Sequence, residues 1–279
     1  MTRSSGGVKD GGPSSRSYIH GYTPREAQRL YEQALILEDI IHGGVSIATD
    51  GPALEAGCGV GAQTAILKRR NPGAELVSID ISLPSLAAAC DNVGNGVFLQ
   101  ADISAIPFKP ESFSHIFICF VLEHLPDPEA VLRRLMTFLK PGGRLTAIEG
   151  DHGACVWSPW TEASQKVWNA VIRTQQDLGH DPLIGRRLCS IVENSGYEVY
   201  HSEPCTLYAD PANRSLLDGM VNKIIVPMSE TSRNAALDKG YLGQEDWERG
   251  IKDLAGSYNS PGGAFFYSWF KTEAKKPAW

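Results

Sequence analysis

The sequence predicts a doubly wound α/β domain on a mostly parallel, seven-stranded sheet. Three observations carry this reading. Between Pro52 and Ile148, short apolar runs alternate with amphipathic stretches of helical period. A glycine-rich turn, Leu54-Glu55-Ala56-Gly57-Cys58-Gly59-Val60-Gly61, joins the first run to the first such stretch. The 279 residues, 42% of them apolar, suffice for one large domain with insertions.

The first 17 residues are rich in Gly, Ser and charge and are expected to be disordered. At Thr23-Pro24 an N-cap residue precedes proline at the first helical position. Ala27, Leu30, Tyr31, Ala34, Leu37 and Ile41 then recur at helical spacing until Gly43-Gly44. Residues 18–50 are therefore assigned to an N-terminal helical lid and 51–279 to the main domain. Within it, strands are expected at 53–56, 75–79, 96–100, 115–120 and 144–148, with helices at 61–70, 83–92 and 128–139. Strands separated by helices demand right-handed crossovers and a parallel sheet covered on both faces.

After Gly150 the rhythm changes. A helix over 159–178 and helices at 213–226, 229–239 and 244–255 exceed what the sheet requires, so cap insertions are placed at about 157–180 and 211–258. Between and after them, a helix over 185–195 leads to a strand at 197–202, and a last aromatic strand lies at 264–270.

The formal net charge is −6 and the basic residues are scattered, which argues against nucleic acid or an anionic membrane as partner. The longest apolar run, 116–122, is far short of a membrane span. No signal peptide is visible, so a soluble cytoplasmic protein is expected. Six cysteines without a C-x-x-C pair fit reduced thiols, with no metal site.

The turn from Leu54 to Gly61 lets backbone approach a ligand closely and aims helix N–H groups into the crevice beyond the first strand. Asp80, nineteen residues past Gly61, ends the second strand, where a carboxylate can accept both hydroxyls of a ribose. Together they imply an adenosine-containing ligand. The spacing G-x-G-x-G differs from the dinucleotide pattern G-x-G-x-x-G, and Glu55 suits an ammonium but would repel a diphosphate.

With these motifs, residues 54–148 resemble the class I S-adenosylmethionine-dependent methyltransferases, and more narrowly the ubiquinone and menaquinone biosynthesis group. The resemblance implies a Rossmann-like methyltransferase fold with S-adenosyl-L-methionine as cofactor. It also implies that Gly57, Gly59 and Gly61 face the methionine part and that Glu55 acts on its ammonium directly or through water. Asp80 is then the ribose acid, with Ile81 beside the adenine. Asp102 and Ile103, in Ala101-Asp102-Ile103, reach the adenine, and the segment from Phe120 to Leu125 closes the fourth strand against the cofactor. Tyr18, His20, Gly21 and Tyr22 become candidates for a segment folded over the cofactor, although Tyr22 could equally staple the first helix.

In such a fold the acceptor is met by the ends of the fourth and fifth strands, here Glu123-His124 and Glu149-Gly150-Asp151-His152. His152, oriented by Asp151 or Glu149, is the expected base for the acceptor's proton, with Tyr22 or His124 in reserve. The alternative for His152 is a loop histidine satisfied by its neighbours. Glu123, His124, Trp157 and Trp160 are expected to contact the acceptor. Aromatic residues near both caps suggest a flat, apolar small molecule, unless they are core. The arrangement is similar to secondary-metabolite methyltransferases, including the indole C3-methyltransferases of physostigmine-type biosynthesis, which implies C-methylation of an indole. O- or N-methylation of a small molecule stays open, as does a cofactor-binding regulator or pericyclase that transfers no methyl group. Subunit number is also open, a homodimer being one option.

Overall fold

In the computed structural model, residues 24–47, 50–106 and 108–278 are described. The segment 1–17 and the candidates Tyr18, His20, Gly21 and Tyr22 lie outside them.

The chain enters through helix α1 (Pro24–His42) and then runs β1 (Ala53–Ala56), α2 (Ala62–Arg70), β2 (Leu76–Asp80), α3 (Leu83–Val93) and β3 (Val97–Gln100). It continues through β4 (Phe113–Cys119), α4 (Pro128–Phe138), β5 (Leu139–Gly150) and β6 (Val156–Ser158). Next come α5 (Glu162–Asp177), α6 (Leu188–Asn194) and β7 (Glu198–Ala209). The last part holds α7 (Arg214–Asp218), a π-helical segment Gly219–Ile225, α8 (Val226–Thr231), α9 (Arg233–Asp238), α10 (Gln244–Gly256) and β8 (Ala264–Lys275).

The strand order is β3-β2-β1-β4-β5-β8, with β7 on the far side of β8. Strands β1 to β5 are parallel, whereas β8 runs antiparallel to β5, β6 and β7. Gly150 pairs with Trp269 and Val156 with Phe266, so β6 continues β5 along the same side of β8. The expected seven-strand sheet is thus present with one strand interrupted at the loop that carries His152. Because β2 and β4 flank β1 on opposite sides, the crossovers diverge there and open a crevice at the carboxyl ends of the strands.

Two apolar cores cover the two faces. On one, α4 and α6 pack Leu132, Leu135 and Leu188 on Leu54, Ile116 and Leu145. On the other, α1, α5, the π-helical segment and α10 bring Leu37, Trp168, Val221 and Trp247 together with Phe117, Ile148 and Phe265. The cap helices therefore share a core with the sheet. Gly250 makes this possible at the α5–α10 crossing, since a Cβ there would stand 2.4 Å from the Ala163 carbonyl oxygen.

Several expected boundaries move: β8 runs on to Lys275, and the helix expected over 229–239 divides into α8 and α9. β7 extends to Ala209 because its pairing with β8 runs from Glu198↔Lys275 to Ala209↔Phe265, and backbone bonding sustains the strand through polar residues. β5 begins at Leu139, through the Pro141-Gly142-Gly143 turn. The helix expected over 213–226 changes from α to π pitch at Gly219.

Candidate active site

The turn after β1 is built backbone first. The N–H groups of Gly57 and Cys58 both donate to the Ile79 carbonyl at 2.8 Å, and Gly59 N–H donates to Asp80 Oδ2 at 2.8 Å. Asp80 Oδ1 accepts the Ser82 amide at 2.8 Å. Each carboxylate oxygen keeps a lone pair for a ligand. Burial nonetheless pushes the Asp80 carboxyl above the usual range, an effect opposed by the Ser82, Gly59 and Ile81 amides.

The three glycines have different tasks. Gly59, at φ 51, has open space where a Cβ would stand. Gly57, at φ 84, would place a Cβ 2.4 Å from Val121 Cγ2. Gly61 does not face the cavity: at φ 78, its Cβ would meet the Ala89 Cβ at 2.9 Å, so it lets α2 pack against α3. The expectation that all three face the methionine part is corrected for Gly61.

Glu55 stands back from the cavity. Its carboxyl is buried behind the turn, where Oε2 accepts Thr64 Oγ1–H at 2.6 Å and Ser78 Oγ–H at 2.7 Å. It does not line the cavity. Burial raises its pKa to about 7, against the pull of those two hydroxyls.

A cavity of about 870 Å³ opens over this turn. Its near half is lined by Gly57, Gly59, Asp80, Ile81, Asp102, Ile103 and Phe120. Asp102 Oδ1 accepts from the amide and hydroxyl of Ser104, at 2.8 and 2.6 Å. Phe120 is held at φ 58, a left-handed conformation that costs a non-glycine residue about 1–2 kcal/mol. Strain of this kind concentrates at ligand sites.

The far half has two unlike walls. One is apolar, with Met220, Ile224 and Ile225 from the π-helical segment, Met228 from α8 and Trp269 from β8. The other is polar, with Glu123, His124, His152, Gln175, His180 and Tyr267. His152 Nδ1 and the Tyr267 hydroxyl are 2.8 Å apart, and Trp168 Nε1–H donates to the His152 carbonyl at 2.8 Å. His152 Nε2, Gln175 Oε1 and His180 Nδ1 are buried without a hydrogen-bond partner among the described residues. Burial keeps these imidazoles neutral: it lowers His124 and His180 each to about 4, and His152 below its ordinary value. Burial raises the Glu123 carboxyl above its ordinary pKa.

The expected partners of His152 are elsewhere. Asp151 forms a bidentate pair with Arg186, at 2.7 and 2.8 Å, and accepts the Gly153 amide at 2.9 Å. Glu149 Oε1 accepts the Val121 and Leu122 amides at 2.9 and 2.7 Å. Burial and the nearby Glu123 charge push its carboxyl well above the usual range. Neither acid orients His152. Trp157 and Trp160 do not line the cavity either. They stack on each other at 5.1 Å, and Trp157 Nε1–H donates to Ser164 Oγ, so this aromatic pair is packing for α5. Glu123 and His124 do face the cavity.

Sequence reasoning missed Gln175 and His180. Gln175 left a faint signal, for it stands seven residues beyond Trp168 on α5 and is a polar residue on the buried face.

The family described as "Methyltransferase domain" matches residues 54–147, the span that builds the near half. The demethylmenaquinone methyltransferase of Thermus thermophilus is 39% identical over 100 residues, 34% of this chain and 46% of that protein. The trans-aconitate 2-methyltransferase of Escherichia coli is 29% identical over 168 residues, 59% of this chain and 63% of that one. The chain thus spans about half to two thirds of the length of these relatives. The phosphoethanolamine N-methyltransferase 2 of Haemonchus contortus, solved with S-adenosyl-L-methionine, superposes with TM-score 0.56 at 16% identity, covering 97% of this chain and 61% of that one. The fold is that of the S-adenosylmethionine-dependent methyltransferases, and the residues of the near half fit this cofactor. Asp80 offers acceptors for ribose hydroxyls, Ile81 and Ile103 offer apolar contact for adenine, and the open side of Gly59 leaves room for the amino-acid part.

Among the described residues, no helix is long and apolar enough to cross a membrane, and no group of three or more His, Cys, Asp or Glu is arranged to hold a metal ion.

Proposed function

We propose that this protein methylates a small organic acceptor and that the far half of the cavity holds it. One observation carries this reading: a single cavity runs from Gly59 and Asp80, at the ends of β1 and β2, to Met220 and Met228 in the cap. Bound S-adenosylmethionine supplies an activated methyl group, so the protein's task is to position the acceptor, exclude water and manage one proton. The apolar wall accepts a flat hydrocarbon surface. On the polar wall, His152 Nε2, Gln175 Oε1 and His180 Nδ1 have no partner among the described residues, which selects acceptors carrying an N–H, O–H or carbonyl. Glu123 and His152 face the same space, so proton removal belongs to this wall. An aromatic metabolite fits these requirements. An indole methylated on carbon is one member of the class, with phenols and amines as the others.

The test is transfer of a labelled methyl group to a panel of indoles, phenols and amines, with the product atom located by mass spectrometry and NMR. Labelled product from any member supports the reading. Tight adenosylhomocysteine binding with no transfer across the panel would instead favour a cofactor-binding protein with another task.

A further inference from the structure

The His152 ring is held by a single hydrogen bond among the described residues, between Nδ1 and the Tyr267 hydroxyl at 2.8 Å. This bond can be made in two ways. If Nδ1–H donates, the neutral ring has a bare Nε2, and the phenolic proton of Tyr267 is left buried without an acceptor. If Tyr267 donates, its proton is satisfied and the ring proton resides on Nε2, facing the cavity.

The surroundings choose between them. Neither carboxylate of the same loop is bonded to the ring: Asp151 pairs with Arg186, and Glu149 Oε1 accepts the Val121 and Leu122 amides while its Oε2 has no partner among the described residues. Tyr267 is 3% exposed, and its hydroxyl proton has no other acceptor among the described residues. Leaving such a donor unmet is costly. Burial also pushes the phenol well above its ordinary pKa, so it keeps its proton. The first arrangement leaves two ring or phenol groups unsatisfied, the second only one, and that one is directed at the ligand space.

We propose that Tyr267 is a positioning residue which fixes the His152 proton on Nε2, so that this imidazole meets the acceptor as a hydrogen-bond donor. The bound molecule then presents a lone pair to Nε2, from a carbonyl, hydroxyl or carboxylate oxygen, or from a ring nitrogen. A donor group on the same molecule would complement Gln175 Oε1. With no lone pair on its cavity side, His152 would then serve the acceptor as a donor rather than as the base expected from the sequence. The proposal rests on the reading of the far half as the acceptor site.

The test needs no acceptor. Nitrogen-15-labelled protein, with adenosylhomocysteine bound, is studied by long-range proton–nitrogen correlation at mildly alkaline pH, and His152 is assigned by comparison with His152→Gln. The expected spectrum has a protonated Nε2 and an unprotonated Nδ1 that is shielded by the Tyr267 donor. In Tyr267→Phe, the Nδ1 resonance moves downfield, towards that of a nitrogen without a donor. A proton on Nδ1 in the wild-type spectrum would overturn the proposal, and so would an Nδ1 shift unchanged by Tyr267→Phe. Should that variant fail to fold, the wild-type spectrum decides alone. Absence of methyl transfer leaves this measurement untouched, so the two readings fail separately.

Discussion

The Asp80 carboxylate and the Gly59 amide are joined at 2.8 Å, so the acid that ends β2 also shapes the turn after β1. Asp80→Ala removes this bond together with the acceptors for a ribose. Adenosylhomocysteine affinity is expected to fall by about 2 kcal/mol, roughly 30-fold, as read by calorimetry on the folded variant. An unchanged dissociation constant would place the ribose elsewhere.

Gly61 and Gly59 separate stability from binding. Gly61→Ala combines a left-handed backbone with a Cβ 2.9 Å from the Ala89 Cβ, and should lower stability by about 2–4 kcal/mol in urea titrations. Gly59→Ala meets no neighbour. It should cost only about 1 kcal/mol of stability while weakening adenosylhomocysteine binding by crowding the space the ligand needs.

Much of this near half is legible in the sequence. Gly57, Gly59 and Asp80 are read from a local strand–turn–helix unit, where period and turn chemistry act over a few residues. The far half is not. His152 and Tyr267 are 115 residues apart in sequence and meet only because β8 runs antiparallel beside β5. Asp151 turns away from His152 because Arg186, from the segment before α6, offers it two N–H donors. Trp157 and Trp160 look like pocket residues by composition, yet α5 also needs an apolar surface to rest on, and composition does not distinguish the two uses.

Arg186 tests the structural role of Asp151. The Asp151 side chain is 3% exposed and the Arg186 side chain 48%. Breaking a buried pair costs about 3–5 kcal/mol, but solvent reaches this guanidinium, so Arg186→Ala should cost about 1–3 kcal/mol. Thermal unfolding checks this. Adenosylhomocysteine affinity should stay within about twofold, since neither residue lines the cavity.

Glu55 makes stability depend on pH. Its folded pKa of about 7 lies above the ordinary 4.5, so between these values the folded state holds a proton that the unfolded state has released. Stability from this group is complete below pH 4.5 and is lost as pH rises through 7, by up to roughly 3 kcal/mol. Glu55→Gln keeps an amide near Thr64 and Ser78 without a titrating group. The difference in unfolding free energy between wild type and variant should change in favour of Glu55→Gln across that window and level off above it. A flat difference would mean that the carboxylate is ionised throughout.

The π pitch of Gly219–Ile225 has a consequence for how the apolar wall can change. A π turn holds one more residue than the α turn it replaces, so deleting a single residue here would restore regular α pitch while the helix beyond kept its orientation. Met228 would stay on the wall, and the change would fall on the segment's own lining residues, Met220, Ile224 and Ile225, while the sheet and the cofactor turn kept their register. A single codon deletion would thus reshape the apolar end of the cavity locally, leaving the residues of the near half unaltered.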